Sequence, residues 1–274
     1  MVLAQHPDLA ALVQARYGQL LSGIPALAHL ELLLNHRSVR AYRSDPLPDG
    51  TLTALMAAAQ SAATSSNLQT WSVIAIRDAQ RKSRLAELAG GQAHIRQCPL
   101  FLVWLADLAR LAQLGETHGL PYAGLDYLEL FLMACIDAAL AAQNAVIAAE
   151  GMGLGTVYIG AMRNQPEAVA AELALPRQTF AVFGLCVGYG AQATAIKPRL
   201  PQRAVVHEEQ YQLGSQAEAI AEYDQVMRNF YHAQDRKVDE GWTQHSLRRV
   251  AGPESLSGRS QLRQALHHLG FKLL

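Results

Sequence analysis

The stretch Asp126–Ala161, DYLELFLMACIDAALAAQNAVIAAEGMGLGTVYIGA, decides how the rest of the chain is read. It is apolar on nearly all sides from Asp126 to Gly151. That predicts a long helix covered on most faces by the core or by a second subunit. Asp137 in its middle needs a partner if it is buried. The run Gly151-Met152-Gly153-Leu154-Gly155 then ends the helix and feeds a strand over Thr156–Ala161. Alternating glycines also occur in nucleotide-binding loops, but those connect a strand to a following helix. Here the order is reversed, so the glycines read as a helix terminus. Gly160, at the strand end, lets backbone N–H approach a planar ligand closely. Asp137, Gln143 and Asn144 interrupt the apolar run, which argues against a membrane span.

Working outward, Phe180–Gly188 and Leu100–Ala106 are apolar runs of strand length, and Trp71–Arg77 is a strand by its β-branched alternation. Helices are expected from Asp49, as cap, to about Ala63, and over Gln80–Ala89, Ala217–Tyr231 and Leu262–Gly270. The segment Ala109–Leu120 shows no strong period and reads as an excursion. Half of the residues (50%) are hydrophobic and 17% charged, which excludes a disordered chain. Lys+Arg and Asp+Glu both number 23, so nothing in the net charge draws the chain to nucleic acid or anionic membrane. Cys98, Cys135 and Cys186 sit in or beside apolar runs without a C-x-x-C partner, which fits structural thiols in a reducing compartment and no metal site. The N-terminus carries no signal-peptide pattern, and a cytoplasmic protein is expected.

Local basic clusters therefore need a local explanation. His36-Arg37-Ser38-Val39-Arg40 follows the apolar run Leu30–Leu34, and Lys197-Pro198-Arg199 offers the same charge much later. A guanidinium presents paired N–H donors and stays charged at any working pH, so these clusters are either solvated surface or a site for an anion. The short polar run Thr64-Ser65-Ser66-Asn67-Leu68-Gln69 is likewise either a turn or a set of donors to a phosphate or flavin edge.

These stretches, taken with Gly90-Gly91-Gln92, Gly153–Gly160, Phe183–Gly188 and Lys197–Pro201 in that order, resemble the oxygen-insensitive NADPH nitroreductase and flavin reductase group of the nitroreductase superfamily. The likeness covers roughly residues 27–272. It implies an α+β fold with a central mixed sheet flanked by helices, in an intertwined homodimer whose long central helix lies at the interface. Residues 27–274 would be the FMN-binding domain, and 1–26 an extension of unassigned role. By position, His36, Arg37, Lys197 and Arg199, with Ser38, Thr64, Ser65 and Ser66, would hold the FMN phosphate and ribityl chain. Arg40 and Lys197 would place positive charge at the pyrimidine edge. Gln69 and Gln92 would contact the ring, and Tyr158, Ile159, Gly160 and Ala161 would line the hydride port. Asn67 and Arg259 would face the substrate cleft. Arg236 and Lys237 would meet the 2′-phosphate of NADPH, with NADH also possible as donor.

The resemblance implies an FMN-dependent NADPH oxidoreductase that passes electron pairs to small nitroaromatics or quinones in ping-pong fashion. The flavin does the chemistry, and no side-chain acid–base dyad is expected. A free-flavin, metal or azo reductase is the alternative within that class. A flavin-binding carrier or sensor is the alternative outside it.

Overall fold

A computed structural model of the chain describes residues 9–19, 21, 27–234 and 240–274. The described residues begin with α1 (Leu9–Tyr17), α2 (Ala28–Leu34), α3 (Thr51–Gln60), β1 (Trp71–Ile76), α4 (Ala79–Leu88) and α5 (Ala93–Gln97). The chain continues through β2 (Leu100–Asp107), α6 (Ala109–His118), α7 (Leu128–Gly151), β3 (Gly155–Ile159), α8 (Pro166–Glu172) and β4 (Thr179–Gly188). Three helices close it: α9 (Gln216–His232), α10 (Trp242–Arg249) and α11 (Leu262–His268). These elements fall into two compact units. One joins Met1–Arg37 with Ala195–Leu256; the other joins Ser38–Thr194 with Ser257–Leu274.

The larger unit is built on β2. From Leu100 to Ala106 no residue is more than 3% exposed. A strand buried on both faces must be covered twice, and its alternation divides two cores. Phe101, Val103 and Leu105 join α4, α5 and α8 on one side. Leu100, Leu102 and Trp104 join α3 and α7 on the other. Among the described residues the sheet has the order β1-β2-β4-β3 with every strand pair antiparallel. The parallel part of the expected mixed sheet is here a single bridge, Ser38 to Thr156. Val39 accompanies it, donating its N–H to Thr156 O at 2.8 Å. Gly155 permits this approach, since a Cβ there would lie 2.6 Å from Val39 Cγ2.

α7 lies against this sheet through small residues. Ala138, Ala141, Ala142, Ala145 and Ala149 are fully buried, and the absence of long side chains lets the helix come close to β2 and α3. Its other side carries Leu128, Leu132, Ile136 and Leu140 at four-residue spacing, 44–52% exposed. By length and composition α7 is apolar enough to cross a bilayer, but 44% of its most apolar window is buried within the fold.

In the smaller unit, Leu12 and Val13 of α1 share a core with Leu34 of α2, so residues 9–17 pack as part of that unit. Tyr223, Met227 and Tyr231 of α9 form a second core with Leu200 and Trp242.

Two local expectations are corrected. Asp49 does not cap α3: the position before the helix is Gly50, at a φ of 80° that glycine adopts without steric cost. Thr51 instead bonds back to Pro48 O through both its N–H (3.2 Å) and its hydroxyl (2.7 Å). The segment Ala109–Leu120 is not an excursion but helix α6, closed by Gly119 at φ 65°. Gly115 is the one buried residue of α6, and Leu111 and Ala112 pack half-buried on the core beside it, a short inward face.

Gly184 shows how tightly the β2–β4 layer is packed, because a Cβ on it would overlap the ring of Phe101. Gly184→Ala is expected to destabilise the protein by about 1–3 kcal/mol, as overpacking of a filled core does. A denaturant midpoint equal to the parent's would count against this packing.

Candidate functional site

The candidate residues divide between the two units. In the smaller unit the organising group is Arg16 of α1, only 4% exposed. Its Nη2 donates to Leu34 O at 2.6 Å and His36 O at 2.8 Å, and its Nη1 to Lys197 O at 2.8 Å. Arg199 N–H returns a bond to Arg16 O at 2.8 Å. Tyr223 O–H donates to Pro198 O at 2.9 Å, and Ile196 packs on the Leu12–Leu34 core. The two basic stretches, distant in sequence, are thereby tied to one another through their backbones. Lys197 Nζ lies 5.6 Å from the centre of the Tyr231 ring, a cation–π distance. The Arg199 guanidinium turns back onto Lys197 O and Pro198 O at 3.0 and 3.3 Å. Arg37 keeps its Nε buried and without a partner among the described residues. Burying such a donor costs about 1–3 kcal/mol, so it marks a position suited to an acceptor.

In the larger unit the polar run Thr64–Gln69 forms one loop hung on α7. Asp137, 2% exposed, accepts from Thr64 Oγ1 at 2.6 Å, Ser65 N at 3.3 Å, and Thr70 N and Oγ1 at 3.2 and 3.1 Å. This is the partner set that an aspartate in an apolar helix requires. Thr64 Oγ1 in turn accepts from Gln69 N at 3.0 Å. Ser66, Asn67 and Gln69 all have positive φ, 49°, 54° and 51°. On the far side Arg110 of α6 donates to Gln69 O at 2.8 Å, Trp71 O at 3.2 Å and Ser72 Oγ at 2.7 Å. Sequence reasoning missed Arg110 altogether, because it sits in the segment read as an excursion.

Ser38 and Arg40 flank Val39 beside β3 and are exposed. The end of β3 passes through Tyr158 and Ile159 into the single turn Gly160–Arg163, which contains Ala161. Tyr158 packs edge-on against Phe183 (5.0 Å, 87°), and burial holds its phenol well above the usual range. It remains a hydroxyl, donating to Gln143 Oε1 at 3.4 Å. Behind the turn Arg163 donates to Val182 O, on the residue that β4 inserts where its register with β2 shifts. Burial, then the charge of Arg259, lowers the Arg163 guanidinium from its usual value, though a guanidinium still stays protonated at any working pH. Arg259 Nε donates to Asn164 Oδ1 at 2.9 Å, and Arg163, Asn164 and Gly258 line a cleft of about 480 Å³. Gln92 stands just before α5, which carries His94. Burial, and next the charge of Arg40, holds that imidazole below its ordinary range. Arg236 and Lys237 lie outside the described residues.

A four-stranded antiparallel sheet backed by a long alanine-faced helix, with basic clusters near residues 36–40 and 197–199, now has relatives to compare. The chain belongs to the nitroreductase family, matching it over residues 33–189, and the nitroreductase family C-terminal domain over residues 197–274. It is 39% identical over 222 residues to an FMN reductase (NADPH) of Bacillus subtilis, covering 80% of this chain and 89% of that one. It is 38% identical over 243 residues to the oxygen-insensitive NADPH nitroreductase of Salmonella typhimurium, covering 88% and 97%. Among solved structures, NfrA1 of B. megaterium superposes with a TM-score of 0.85 at 36% identity, over 90% of this chain and all (100%) of that one. The NADPH:FMN oxidoreductase of Vibrio harveyi, complexed with NAD+, gives 0.79 at 35% identity, over 89% and 98%.

Asp137 makes the loop testable. Asp137→Asn keeps one acceptor but turns an NH2 toward donors, and is expected to cost about 1.5–3 kcal/mol, the range for hydrogen bonds to a charged group. The denaturation midpoint checks this; an unshifted midpoint would remove Asp137 as the anchor of residues 64–70.

Proposed function

We propose that the chain is an FMN-dependent NADPH oxidoreductase that delivers electron pairs to small nitroaromatics or quinones, with reduction of free flavin as the neighbouring activity. The observation that carries the reading is the Arg37 donor, buried and unpartnered next to His36 in a segment bonded to Lys197 through Arg16. Such a donor set fits a phosphate. His36, Arg37, Lys197 and Arg199 are assigned to the phosphate, and Ser38, Thr64, Ser65 and Ser66 to the phosphate and ribityl chain. Arg40 and Lys197 supply positive charge to the pyrimidine edge, Gln69 and Gln92 contact the ring, and residues 158–161 keep the reacting face open. When bound, FMN supplies the hydride-accepting and hydride-donating centre. The protein's residues bind it, orient it and admit one substrate at a time.

Asn67 and Arg259 are assigned to the acceptor side, where the Arg163–Arg259 pair favours an acceptor bearing negative or polar oxygen. The stripe Leu128, Leu132, Ile136 and Leu140 is assigned to a second copy of the chain, since an exposed apolar row of this kind marks an interaction surface. A cytoplasmic location is supported by three free thiols among the described residues, Cys98, Cys135 and Cys186; burial pushes Cys135 up to about 11.

Anaerobic stopped flow tests the reading. NADPH is expected to bleach the flavin absorbance in a first step, and a nitrofuran to restore it in a separate second step. Flavin that NADPH never bleaches would favour the carrier or sensor. Arg236→Ala is expected to raise the KM for NADPH about tenfold, the effect of one lost charge-assisted phosphate contact, and to leave the KM for NADH unchanged. Equal effects on the two donors would place the 2′-phosphate contact elsewhere.

A further inference from the structure

Arg16 lies ahead of residue 33, where the family match begins, and the proposed function gives it no contact with the cofactor. It is nevertheless the buried bolt of the smaller unit. One planar guanidinium satisfies three carbonyls: Leu34 O, His36 O and Lys197 O. Leu34 is the last residue of α2, so its carbonyl is among those that a helix leaves without an internal partner, and a cation at that end also suits the helix dipole. His36 and Lys197 are the first residues of the two basic stretches. The same α1 residue accepts Arg199 N–H, which fixes the far end of Lys197–Arg199 as well.

We propose that Arg16 is a positioning residue for the anionic end of the cofactor, holding His36–Arg37 and Lys197–Arg199 in register so that their donors converge on one phosphate. The inference rests on the FMN reading above. The chemistry follows from the geometry of the group. Phosphate binding needs several N–H donors aimed at one tetrahedral anion, and donors on two separate segments converge only if the segments are fixed against each other. Lysine cannot replace the fork, because one ammonium on a flexible stem lacks the two separated nitrogens that reach these carbonyls. Residues 9–17 thereby acquire a role: α1 anchors through Leu12 and Val13 and presents Arg16 to the cluster.

The test separates positioning of the phosphate from plain structural support. Full-length protein freed of flavin is titrated with FMN and with riboflavin, which lacks the phosphate, and the quenching of flavin fluorescence gives the two Kd values. The parent is expected to prefer FMN. In Arg16→Ala the FMN-to-riboflavin preference is expected to fall about tenfold or more, with riboflavin affinity held within about twofold, as for loss of supporting contacts around a binding site. Parallel loss of both ligands would make Arg16 merely structural and overturn the proposal, as would an unchanged preference. Should the alanine variant fail to fold, Arg16→Lys carries the same measurement with an expected fall of about threefold, and an unchanged preference again overturns it. Arg199→Ala distinguishes the two layers of the argument. If the parent shows no preference for FMN, or Arg199→Ala leaves it intact, the phosphate assignment itself fails. If Arg199→Ala reduces the preference and Arg16→Ala does not, only the role of Arg16 is lost.

Discussion

β2 is the constraint on which the larger unit depends. Every residue from Leu100 to Ala106 is buried, so the strand has no solvent side and needs a layer on each face. α7 with α3 supplies one, and α4, α5 and α8 supply the other. Burial of apolar side chains at about 25 cal/mol per Å² makes this sandwich the dominant stabilising feature of the unit. The backbone groups of β2 are satisfied by β1 on one edge and β4 on the other. With β2 fixed, the loop before β1 and the turn after β3 have defined positions.

Two buried charges, one in each unit, then fix the segments that carry candidate residues. Asp137 projects from an apolar helix and accepts four donors from residues 64–70. Arg16 projects from α1 and donates to three carbonyls. Each is a charge taken out of water, and removal of its partners would leave an uncompensated ion. Arg16 is matched wholly to backbone carbonyls, and Asp137 to two backbone N–H groups and two threonine hydroxyls of one loop. Backbone partners fix the path of a loop, which a side-chain ion pair on the surface does not.

The sequence made the core elements legible where a single residue pattern decided them. The apolar run Leu100–Ala106, the all-round apolar Leu130–Ala149 and the glycines at 151–155 each state their structure locally. α6 was not read as a helix because its inward face is short: Gly115 is its one buried residue, with Leu111 and Ala112 half-buried beside it. Asp49 misled because a left-handed Gly50 can open a helix without a side-chain cap. The demand that Asp137 makes was legible, but its answer was not: Thr64 and Thr70 are 73 and 67 residues away. Arg16 and Lys197 are 181 residues apart, and no spacing rule reaches that far. Residue types announce that a charge needs partners, and only the closed fold says which.

The loop at 64–70 shows how the balance of terms favours a shaped site over a relaxed one. Ser66, Asn67 and Gln69 sit in the left-handed region, where a residue with a side chain loses about 1–2 kcal/mol relative to the right-handed one. Asparagine tolerates this better than the other two, so the three together oppose folding by a few kcal/mol. Against that stand the four bonds to Asp137 and the one from Arg110 to Gln69 O, five contacts to a charged group at about 1.5–3 kcal/mol for each well-formed one. Even if exposure reduces the Arg110 share to little, the buried Asp137 set is enough to hold the strained path. A relaxed turn would not need an aspartate in the middle of an apolar helix. The aspartate is there because the loop it holds would otherwise adopt another shape, and its exposed Ser65, Ser66, Asn67 and Gln69 would present their polar groups in other directions.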